Sequence, residues 1–368
     1  MVVGGGVAGC AVAFTLAREG LSVRLVERDE LAGHASGAAA GMLAPVGEAG
    51  EPGSLRTLGL ESLRLFPGLC DEVRMLSGID AEYEASGLLR VAVDEAAADR
   101  LRKCLHESGA GALGLEWLDA DEAQRAEPGL AHALAGALWS PSEAHVRSPL
   151  LARGLAAAAH ALGAEVEVGT HVLGLTWQAD RVTGVRTSRG ERRAGHVVVC
   201  TGCWAGELAE WLPHDVAAFR PPIEPVRGQI LSLDSPPRRL RSIVWGDDTY
   251  IVPKRDGSVV VGATEERVGF DCRVTASGMA ELLAAAPRLV PELANVRFRE
   301  GWAGLRPGSP DGLPGVGPVP ATRGLSVAIG HARNGVLLSP LTGRIVADAI
   351  LGKERSQAAE VLDPARWC

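Results

Sequence analysis

The chain has 368 residues, of which 46% are hydrophobic and 22% are charged. This length and balance exclude a small disulfide-stapled scaffold and a disordered chain, and they predict two or three domains. The formal net charge is −8, with 45 acidic against 37 basic residues and no basic block, which argues against a nucleic-acid partner. No apolar run approaches the ~18 residues that span a bilayer, and no secretory leader opens the chain. We therefore expect a cytoplasmic protein without membrane association.

The first predicted elements are a strand, a glycine turn, a helix and a second strand. A two-residue apolar run precedes a G-x-G-x-x-G at Gly4, Gly6 and Gly9, and the second strand ends at Glu27. The first glycine permits the tight turn, the second lets the backbone approach a pyrophosphate, and the third lets the helix pack on the strand. The helix N-terminus would hold the pyrophosphate, and the Glu27 carboxylate would accept hydrogen bonds from a ribose. The pattern predicts a dinucleotide-binding unit with an unusually short first strand.

Two later segments each have two interpretations. Residues 33–45 are dominated by glycine, alanine and serine. They form either a flexible linker or a backbone that runs directly beneath a flat cofactor, where only small side chains fit. Cys200 and Cys203 form a C-x-x-C that could be a redox pair, although we favour the end of a buried strand that enters a turn.

Periodic apolar patterns along the rest of the chain predict a mixed α/β fold. The predicted helices lie at 54–77, 95–107, 149–162, 276–289 and 339–351. The predicted strands lie at 87–93, 165–168, 171–177, 182–187, 196–200, 226–233, 249–253 and 258–263. The close spacing of the last three strands favours an antiparallel sheet. We predict a Rossmann-like nucleotide-binding domain interrupted by an inserted α+β domain built on that antiparallel sheet.

A set of motifs, in the same order along the chain, resembles one known family. These motifs are the fingerprint ending at Glu27 and the segments 39–45, 225–229, 250–254, 262–264, 304–307, 311–314 and 330–335. Together they resemble the FAD-dependent glycine oxidases of the D-amino-acid-oxidase superfamily, over nearly the whole chain. The resemblance implies a discontinuous FAD-binding domain, at 1–80, 146–212 and 305–368. It implies a substrate-binding domain at 81–145 and 213–304.

The resemblance also implies that the cofactor is FAD rather than NAD, that it is bound non-covalently, and that no metal takes part. In the family pattern, backbone N–H groups of the loop at 333–338 would face the flavin. The residues that the resemblance places at the cofactor are Gly4, Gly6, Val7, Ala8, Gly9, Glu27, Arg28, Ala35, Ser36, Ala39, Ala40, Gly41, Met42, Val172, Thr201, Gly202, Asn334, Gly335, Val336 and Leu337.

The implied reaction is the oxidation of glycine or a similar small amine by O2 to the 2-oxo acid, ammonia and hydrogen peroxide, feeding thiamine thiazole synthesis. Arg306 would hold the substrate carboxylate with its guanidinium fork, and Tyr250 would donate its hydroxyl to the same carboxylate. Arg333, in the loop before the last helix, is also assigned to the catalytic residues. Glu265 would either pair with the substrate ammonium or point into solvent. His331 could be a catalytic base, but we favour a structural histidine.

Three other functions remain open from the sequence alone. The first is a flavin enzyme that oxidises D-amino acids or sarcosine. It would be either an oxidase or a dehydrogenase, and the dehydrogenase would use an electron acceptor other than O2. The second is the oxidase half of a tRNA-modifying enzyme, against which the negative net charge counts. The third is a non-catalytic FAD-binding module, against which Arg306 and Tyr250 count. The preferred amine and the formation of a homo-oligomer also remain open.

Overall fold

The computed structural model describes residues 1–49, 53–107, 113–213 and 219–368. Its α-helices are α1 (Val7–Arg18), α2 (Ala35–Ala38), α3 (Pro45–Ala49), α4 (Ser54–Leu63), α5 (Phe66–Ser77), α6 (Glu95–Glu107), α7 (Ala120–Ala126), α8 (Ser148–Ala161), α9 (Leu208–Trp211), α10 (Ala276–Leu289), α11 (Ser339–Ile350) and α12 (Gln357–Val361). Short 3₁₀ helices span Gly202–Glu207, Pro291–Asn295 and Pro364–Trp367.

The strands of the described residues form four sheets. The strands are β1 (Val2–Val3), β2 (Arg24–Val26), β3 (Met42–Leu43), β4 (Leu88–Ala92), β5 (Glu116–Leu118), β6 (Gly136–Ser140), β7 (Ala144–His145), β8 (Glu165–Glu167), β9 (Val172–Gln178), β10 (Arg181–Thr187), β11 (Gly190–Arg193), β12 (Val197–Val199), β13 (Glu224–Asp234), β14 (Ile243–Trp245), β15 (Tyr250–Pro253), β16 (Ser258–Gly262), β17 (Phe298–Gly308), β18 (Gly315–Pro318) and β19 (Leu325–Ile329).

A six-stranded sheet in the order β18-β19-β12-β1-β2-β8 forms the nucleotide-binding unit. Its strands pair in parallel except for the antiparallel edge strand β18. The helix α1 packs so closely on the end of β1 that a Cβ atom at Gly9 would overlap the carbonyl oxygen of Gly4. Gly4 itself has φ = +107°, a backbone conformation that side chains disfavour. The predicted strand–turn–helix–strand unit and its short first strand are therefore confirmed.

The second large sheet has eight strands in the order β17-β13-β16-β15-β14-β4-β6-β5. Buried side chains of α10, among them Leu282 and Leu289, pack into the core of this sheet. All neighbours are antiparallel except β4 and β14, which pair in parallel between Leu88 and Ile243. The predicted antiparallel arrangement of the strands at 226–233, 249–253 and 258–263 is confirmed by β13, β15 and β16, and the parallel pair is an exception elsewhere in the sheet. Because β4 and β14 are far apart in the chain, no hairpin restricts their relative direction.

The two large sheets confirm the predicted fold class of a Rossmann-like unit and a second α+β unit. Strands of the eight-stranded sheet come from 88–140 and 224–308, between the segments that build the six-stranded sheet. The exact domain boundaries stay a prediction, and β17 crosses the predicted boundary between 304 and 305. Parts of the predicted domains at 50–52, 108–112 and 214–218 lie outside the described residues.

Two predictions of secondary structure are corrected. The pattern at 54–77 forms two helices, α4 and α5, rather than one. Pro67 has no N–H to donate to the carbonyl group of Leu63, so the first helix ends there. The eleven-residue strand β17 was not predicted at all. Its glycines at 301, 304 and 308 are typical of turns, which conceals the strand in the sequence.

The segment at 33–45 is not a flexible linker. It contains α2 and β3, and β3 pairs with β7 through Met42 and His145. The indole Nε1 of Trp302 donates to the Ala38 carbonyl at 3.0 Å. These contacts fix the small-residue segment against the eight-stranded sheet. In the part of the chain that the structure describes, no helix combines the length and apolar character needed to cross a membrane.

Candidate active site

Two cavities that meet at Ala35 contain most of the predicted site residues. The nucleotide cleft is lined by the glycine turn, the ends of β2 and β12, and the start of β9; the inner cavity lies along the small-residue segment. Predicted residues that line the nucleotide cleft are Gly4, Gly6, Glu27, Arg28, Ala35, Ser36, Val172, Thr201 and Gly202. Predicted residues that line the inner cavity are Ala35, Ala39, Ala40, Gly41, Met42, Tyr250, Arg306, Arg333 and Val336.

Other predicted residues stand behind these cavity walls or beside them. Val7, Ala8 and Gly9 form the first turn of α1, behind the glycine turn. Asn334, Gly335 and Leu337 belong to the turn that precedes α11, with Asn334 and Leu337 buried. Glu265 lines an outer cavity, which adjoins the inner cavity and shares Tyr250, Ala263 and Arg333 with it.

The Glu27 carboxylate organises the nucleotide cleft. One oxygen accepts the Gly5 backbone N–H at 2.5 Å, and the other accepts the Asp29 N–H at 2.7 Å. The side chain is buried, with 7% exposed. Since a carboxylate offers about four lone-pair positions, two acceptor positions remain after these bonds. Glu27 can therefore hold the turn in place and still accept ribose hydroxyl groups.

The start of α1 is open to an anion. Gly6 is the N-cap residue and offers no side chain to the first turn. The first N–H groups of a helix have no partner inside the helix, and the helix dipole adds partial positive charge there. The Ser36 hydroxyl accepts the Val7 N–H at 2.9 Å, which joins the small-residue segment to this helix start.

An aromatic wall of the nucleotide cleft was missed by the sequence analysis. Trp204, in the 3₁₀ helix after β12, lines the cleft beside Arg28 and His34. The Arg28 guanidinium carbon lies 4.4 Å from the centre of the Trp204 ring, and the His34 ring centre lies 4.7 Å from it. The sequence signal was a tryptophan next to the predicted turn at Thr201 and Gly202. It could have indicated a stacking partner, but its neighbours come from distant segments.

Arg306 lines the inner cavity, and the absence of a side chain at Gly228 leaves room for its guanidinium. Gly228 on β13 lies directly opposite Gly304 on β17, and a Cβ atom at Gly228 would overlap the Arg306 guanidinium. The Arg306 Nη1 atom donates to the Thr264 carbonyl at 3.1 Å. A partly buried, oriented guanidinium of this kind can bind a carboxylate with two parallel hydrogen bonds.

Tyr250 lies at the junction of the inner and outer cavities. It begins β15, is buried with 6% exposed, and packs edge-on against Trp245 with ring centres 5.9 Å apart. It lines the same inner cavity as Arg306. The structure thus brings together the two side chains that the sequence analysis assigned to a substrate carboxylate.

Arg333 and Glu265 form a loose ion pair at the same junction. Their closest nitrogen and oxygen atoms are 3.7 Å apart, and the Arg333 guanidinium carbon lies 5.8 Å from the Trp245 ring centre. The Glu265 side chain is 55% exposed. Glu265 lines the outer cavity and not the inner one, and its exposure is compatible with the solvent-facing placement. Its contact with a substrate ammonium stays a prediction.

His331 has the position of a structural residue. It is buried and its Nε2 atom lies 3.0 Å from the Thr342 hydroxyl oxygen of α11. Burial lowers the pKa of His331 to about 4, so the ring is neutral at physiological pH. His331 lines neither the inner nor the outer cavity within the described structure. These observations favour the structural interpretation over a catalytic base.

Lys254 is a half-buried amine that the sequence analysis did not assign to the site. Its Nζ atom donates to the carbonyl oxygens of Ala40 at 2.7 Å and Val146 at 3.0 Å. Burial lowers the pKa of Lys254 to about 7. The amine thereby links the end of β15 to the small-residue segment behind the inner cavity.

Cys200 and Cys203 are both free and buried. Burial raises the pKa of each thiol to about 12, so both are protonated at neutral pH. A redox pair needs an accessible thiolate. The geometry favours the strand-end interpretation.

Comparisons with known proteins agree with this arrangement. The model of the family of FAD dependent oxidoreductases (DAO) matches residues 1–349. The chain is 38% identical over 357 residues to a glycine oxidase of Geobacillus kaustophilus, covering 96% of this chain and 93% of the relative. It is also 38% identical over 355 residues to the bifunctional protein ThiO/ThiG of a Nostoc species. That match covers 95% of this chain, and the chain spans about half (52%) of the bifunctional relative.

A crystal structure of glycine oxidase from Geobacillus kaustophilus superposes on this chain with a TM-score of 0.93 and 37% sequence identity. The superposition covers 99% of this chain and 97% of that one. The similarity therefore extends over both large sheets and over the residues that line the nucleotide cleft and the inner cavity.

Burial of the C-x-x-C leads to a testable prediction. At pH 8, a thiol with a pKa of about 12 is a thiolate about once in ten thousand molecules. We expect iodoacetamide to modify the exposed Cys368 in the native protein while Cys200 and Cys203 stay unmodified. Peptide mass spectrometry measures the labelling of each cysteine, and labelling in denaturant is the control. Native labelling of Cys200 at the rate of Cys368 would contradict the prediction.

Proposed function

The chain belongs to the family of FAD dependent oxidoreductases, and from this membership we propose that it oxidises glycine or a closely similar small amine. Glycine, O2 and water would yield glyoxylate, ammonia and hydrogen peroxide. The observation that carries the proposal is the Arg306 guanidinium, oriented in a cavity that continues into a nucleotide cleft. The resemblance to glycine oxidases and the assignment of FAD as cofactor, both inferred from the sequence, are confirmed by the family match.

The residues present fit an elongated dinucleotide. The glycine turn lacks the Cβ atoms that would fill it, and the open start of α1 suits a pyrophosphate. Glu27 would accept the ribose hydroxyls, while the small-residue segment would lie against the flavin. When bound, FAD accepts two electrons as a hydride from the substrate carbon and passes them to O2.

The chain's own side chains would orient the amine. Arg306 would hold the substrate carboxylate with two parallel hydrogen bonds, and Tyr250 would donate its hydroxyl to the same group. Together they would place the substrate carbon in the inner cavity. The Cβ-free surfaces of Gly228 and Gly304 keep this space open, so a small substrate and a flat ring system can share it.

The proposal includes no strong catalytic base. His331 is buried, neutral and close to the Thr342 hydroxyl, which supports a structural role rather than that of a base. Hydride transfer requires a neutral amine, and the proton would therefore leave the substrate before the step. The acidic side chains at the entrance, Glu265 among them, would favour the protonated amine and thereby influence the pH at which activity rises.

The finer parts of the proposal concern the setting and the acceptor. We propose O2 as the electron acceptor because the Geobacillus kaustophilus relative, 38% identical and matched over 93% of its length, is named an oxidase. We propose a cytoplasmic setting because all seven cysteines are free thiols. The chain matches about half of a bifunctional relative named ThiO/ThiG. This match motivates the further proposal that the oxidised product feeds thiamine thiazole synthesis.

The first prediction tests the nucleotide cleft. Gly6→Val should abolish FAD binding, because its side chain would project toward Ser36 at the helix start, where the pyrophosphate belongs. Glu27→Ala should weaken binding about ten- to a hundredfold, the value of one charge-assisted hydrogen bond. Titration of apoprotein with FAD, followed by flavin fluorescence, measures both. Gly68→Val is the control, since a Cβ atom there meets open space; equal affinity in Gly6→Val and Gly68→Val would contradict the assignment.

The second prediction tests Arg306. Arg306→Ala should leave the flavin spectrum unchanged. It should lower kcat/KM for glycine by an amount equivalent to about 2–5 kcal/mol of activation free energy, because the substrate carboxylate would lose its charged partner. Arg306→Lys should recover only part of this loss, since an ammonium cannot reproduce the guanidinium fork. Arg297→Ala, on an arginine whose side chain is 73% exposed, should change kcat/KM little. Steady-state oxygen consumption measures the series, and unchanged turnover in Arg306→Ala would remove this residue from the site.

The third prediction tests the entrance. Glu265→Gln should move the rise of kcat/KM with pH to lower pH, because loss of a nearby negative charge lowers the pKa of the substrate amine. Glu281→Gln is the matched control, since Glu281 lines the same outer cavity, whereas the Glu265 carboxylate contacts Arg333 at the junction with the inner cavity. The measurement is the pH dependence of kcat/KM for glycine in the unchanged chain, in Glu265→Gln and in Glu281→Gln. Superimposable profiles of Glu265→Gln and the unchanged chain would place Glu265 outside the electrostatic reach of the substrate.

A further inference from the structure

A ring from the eight-stranded side of the molecule supports the wall of the nucleotide cleft. Phe270 lies in the segment at 263–275, which connects β16 to α10. Its ring stacks on Trp204 with centres 5.9 Å apart and an interplanar angle of 28°. Although it makes this contact, the Phe270 side chain is 56% exposed. Burial in a core therefore does not account for an aromatic residue at this position.

Trp204 also contacts residues that follow the strand end at Glu27. Arg28 lies over the Trp204 ring, and its Nε atom donates to Asp29 at 3.0 Å. His34 meets the same ring edge-on, and its Nε2 atom lies 2.8 Å from Asp29. Trp204 is thus placed between Phe270 and the residues that surround the predicted ribose position.

The segment that carries Phe270 is anchored on both sides of this residue. Arg227 is buried, with 4% exposed, and its guanidinium contacts Glu266 at 2.5 Å and Asp271 at 3.2 Å. The Arg227 guanidinium lowers the pKa of Glu266 to about 2, so this pair stays charged throughout the neutral range. The Cys272 thiol donates to the Ala303 carbonyl at 3.4 Å. Phe270 is therefore presented to Trp204 by a fixed backbone.

We propose that Phe270 and Trp204 form an aromatic clasp that retains FAD by supporting the adenosine side of the nucleotide cleft. Phe270 is a positioning residue that acts through Trp204, which itself lines the cleft. Release of FAD requires the wall to move, and movement of Trp204 breaks its stacking on Phe270. The clasp concerns the cofactor alone and does not depend on which amine is the substrate.

The decisive experiment measures the rate of FAD release from holoprotein, from the rise in flavin fluorescence after dilution. Phe270→Ala should release FAD about three- to tenfold faster, the size expected for one aromatic stacking contact. Phe270→Tyr keeps the ring and should release FAD at a rate close to that of the unchanged chain. Phe298→Ala is the control, because Phe298 is a phenylalanine of comparable exposure, 46%, whose ring lies beside Gly301 of β17.

A second variant separates the clasp from a general loss of stability. In a Trp204→Leu background, Phe270→Ala should produce no further acceleration, because Phe270 acts through the tryptophan. Equal release from Phe270→Ala and the unchanged chain would overturn the proposal, as would equal acceleration by Phe298→Ala or full additivity with Trp204→Leu. The assay contains no amine, so failure of glycine oxidation would refute the proposed function without affecting this result.

Discussion

The rest of the nucleotide-binding unit depends on two hydrogen bonds that the buried Glu27 carboxylate accepts from the backbone. The carboxylate accepts one backbone N–H from the glycine turn and one from the residue that begins the next loop. These two bonds fix where the start of α1 and the end of β2 lie relative to each other. Close contact between Gly4 and Gly9 sets the distance between the end of β1 and the first turn of α1. The segment with Ser36, the aromatic wall at Trp204 and the first part of the cofactor's path all take their positions from this junction.

The inner cavity depends on a different constraint, the absence of side chains at two facing strand positions. Gly228 and Gly304 lie opposite each other in the register of β13 and β17, so the long pair of strands leaves room on one face. The Arg306 guanidinium occupies part of this room and is held by the Thr264 carbonyl. Thr264 belongs to the same segment as Phe270, so one stretch of chain contacts both Arg306, the proposed partner of the substrate carboxylate, and the wall of the nucleotide cleft.

The nucleotide fingerprint was readable from the sequence because all of its parts are local. Its glycines, helix and terminal acid follow one another within thirty residues, and each has a single physical role. Assignment of Arg306 and Tyr250 came from the resemblance, and spacing alone would not have paired residues that meet only across the sheet. The strand β17 was missed because its glycines serve packing rather than turning. Trp204, Lys254 and Phe270 were missed because their partners, Arg28, Ala40 and Trp204 itself, lie far from them in the chain.

The order of strands in the six-stranded sheet also has a consequence for how the chain is made. The central strand β1 is flanked by β2, which follows directly, and by β12, so Val2 pairs with Val198. The remaining strands, β18 and β19, come after the whole second sheet. During synthesis, β1 therefore has one unsatisfied edge until more than half of the chain has emerged, and such non-local pairing slows folding. All strands of the eight-stranded sheet precede β18 and β19 in the chain, so the second sheet is complete in sequence while the first still lacks two of its six strands.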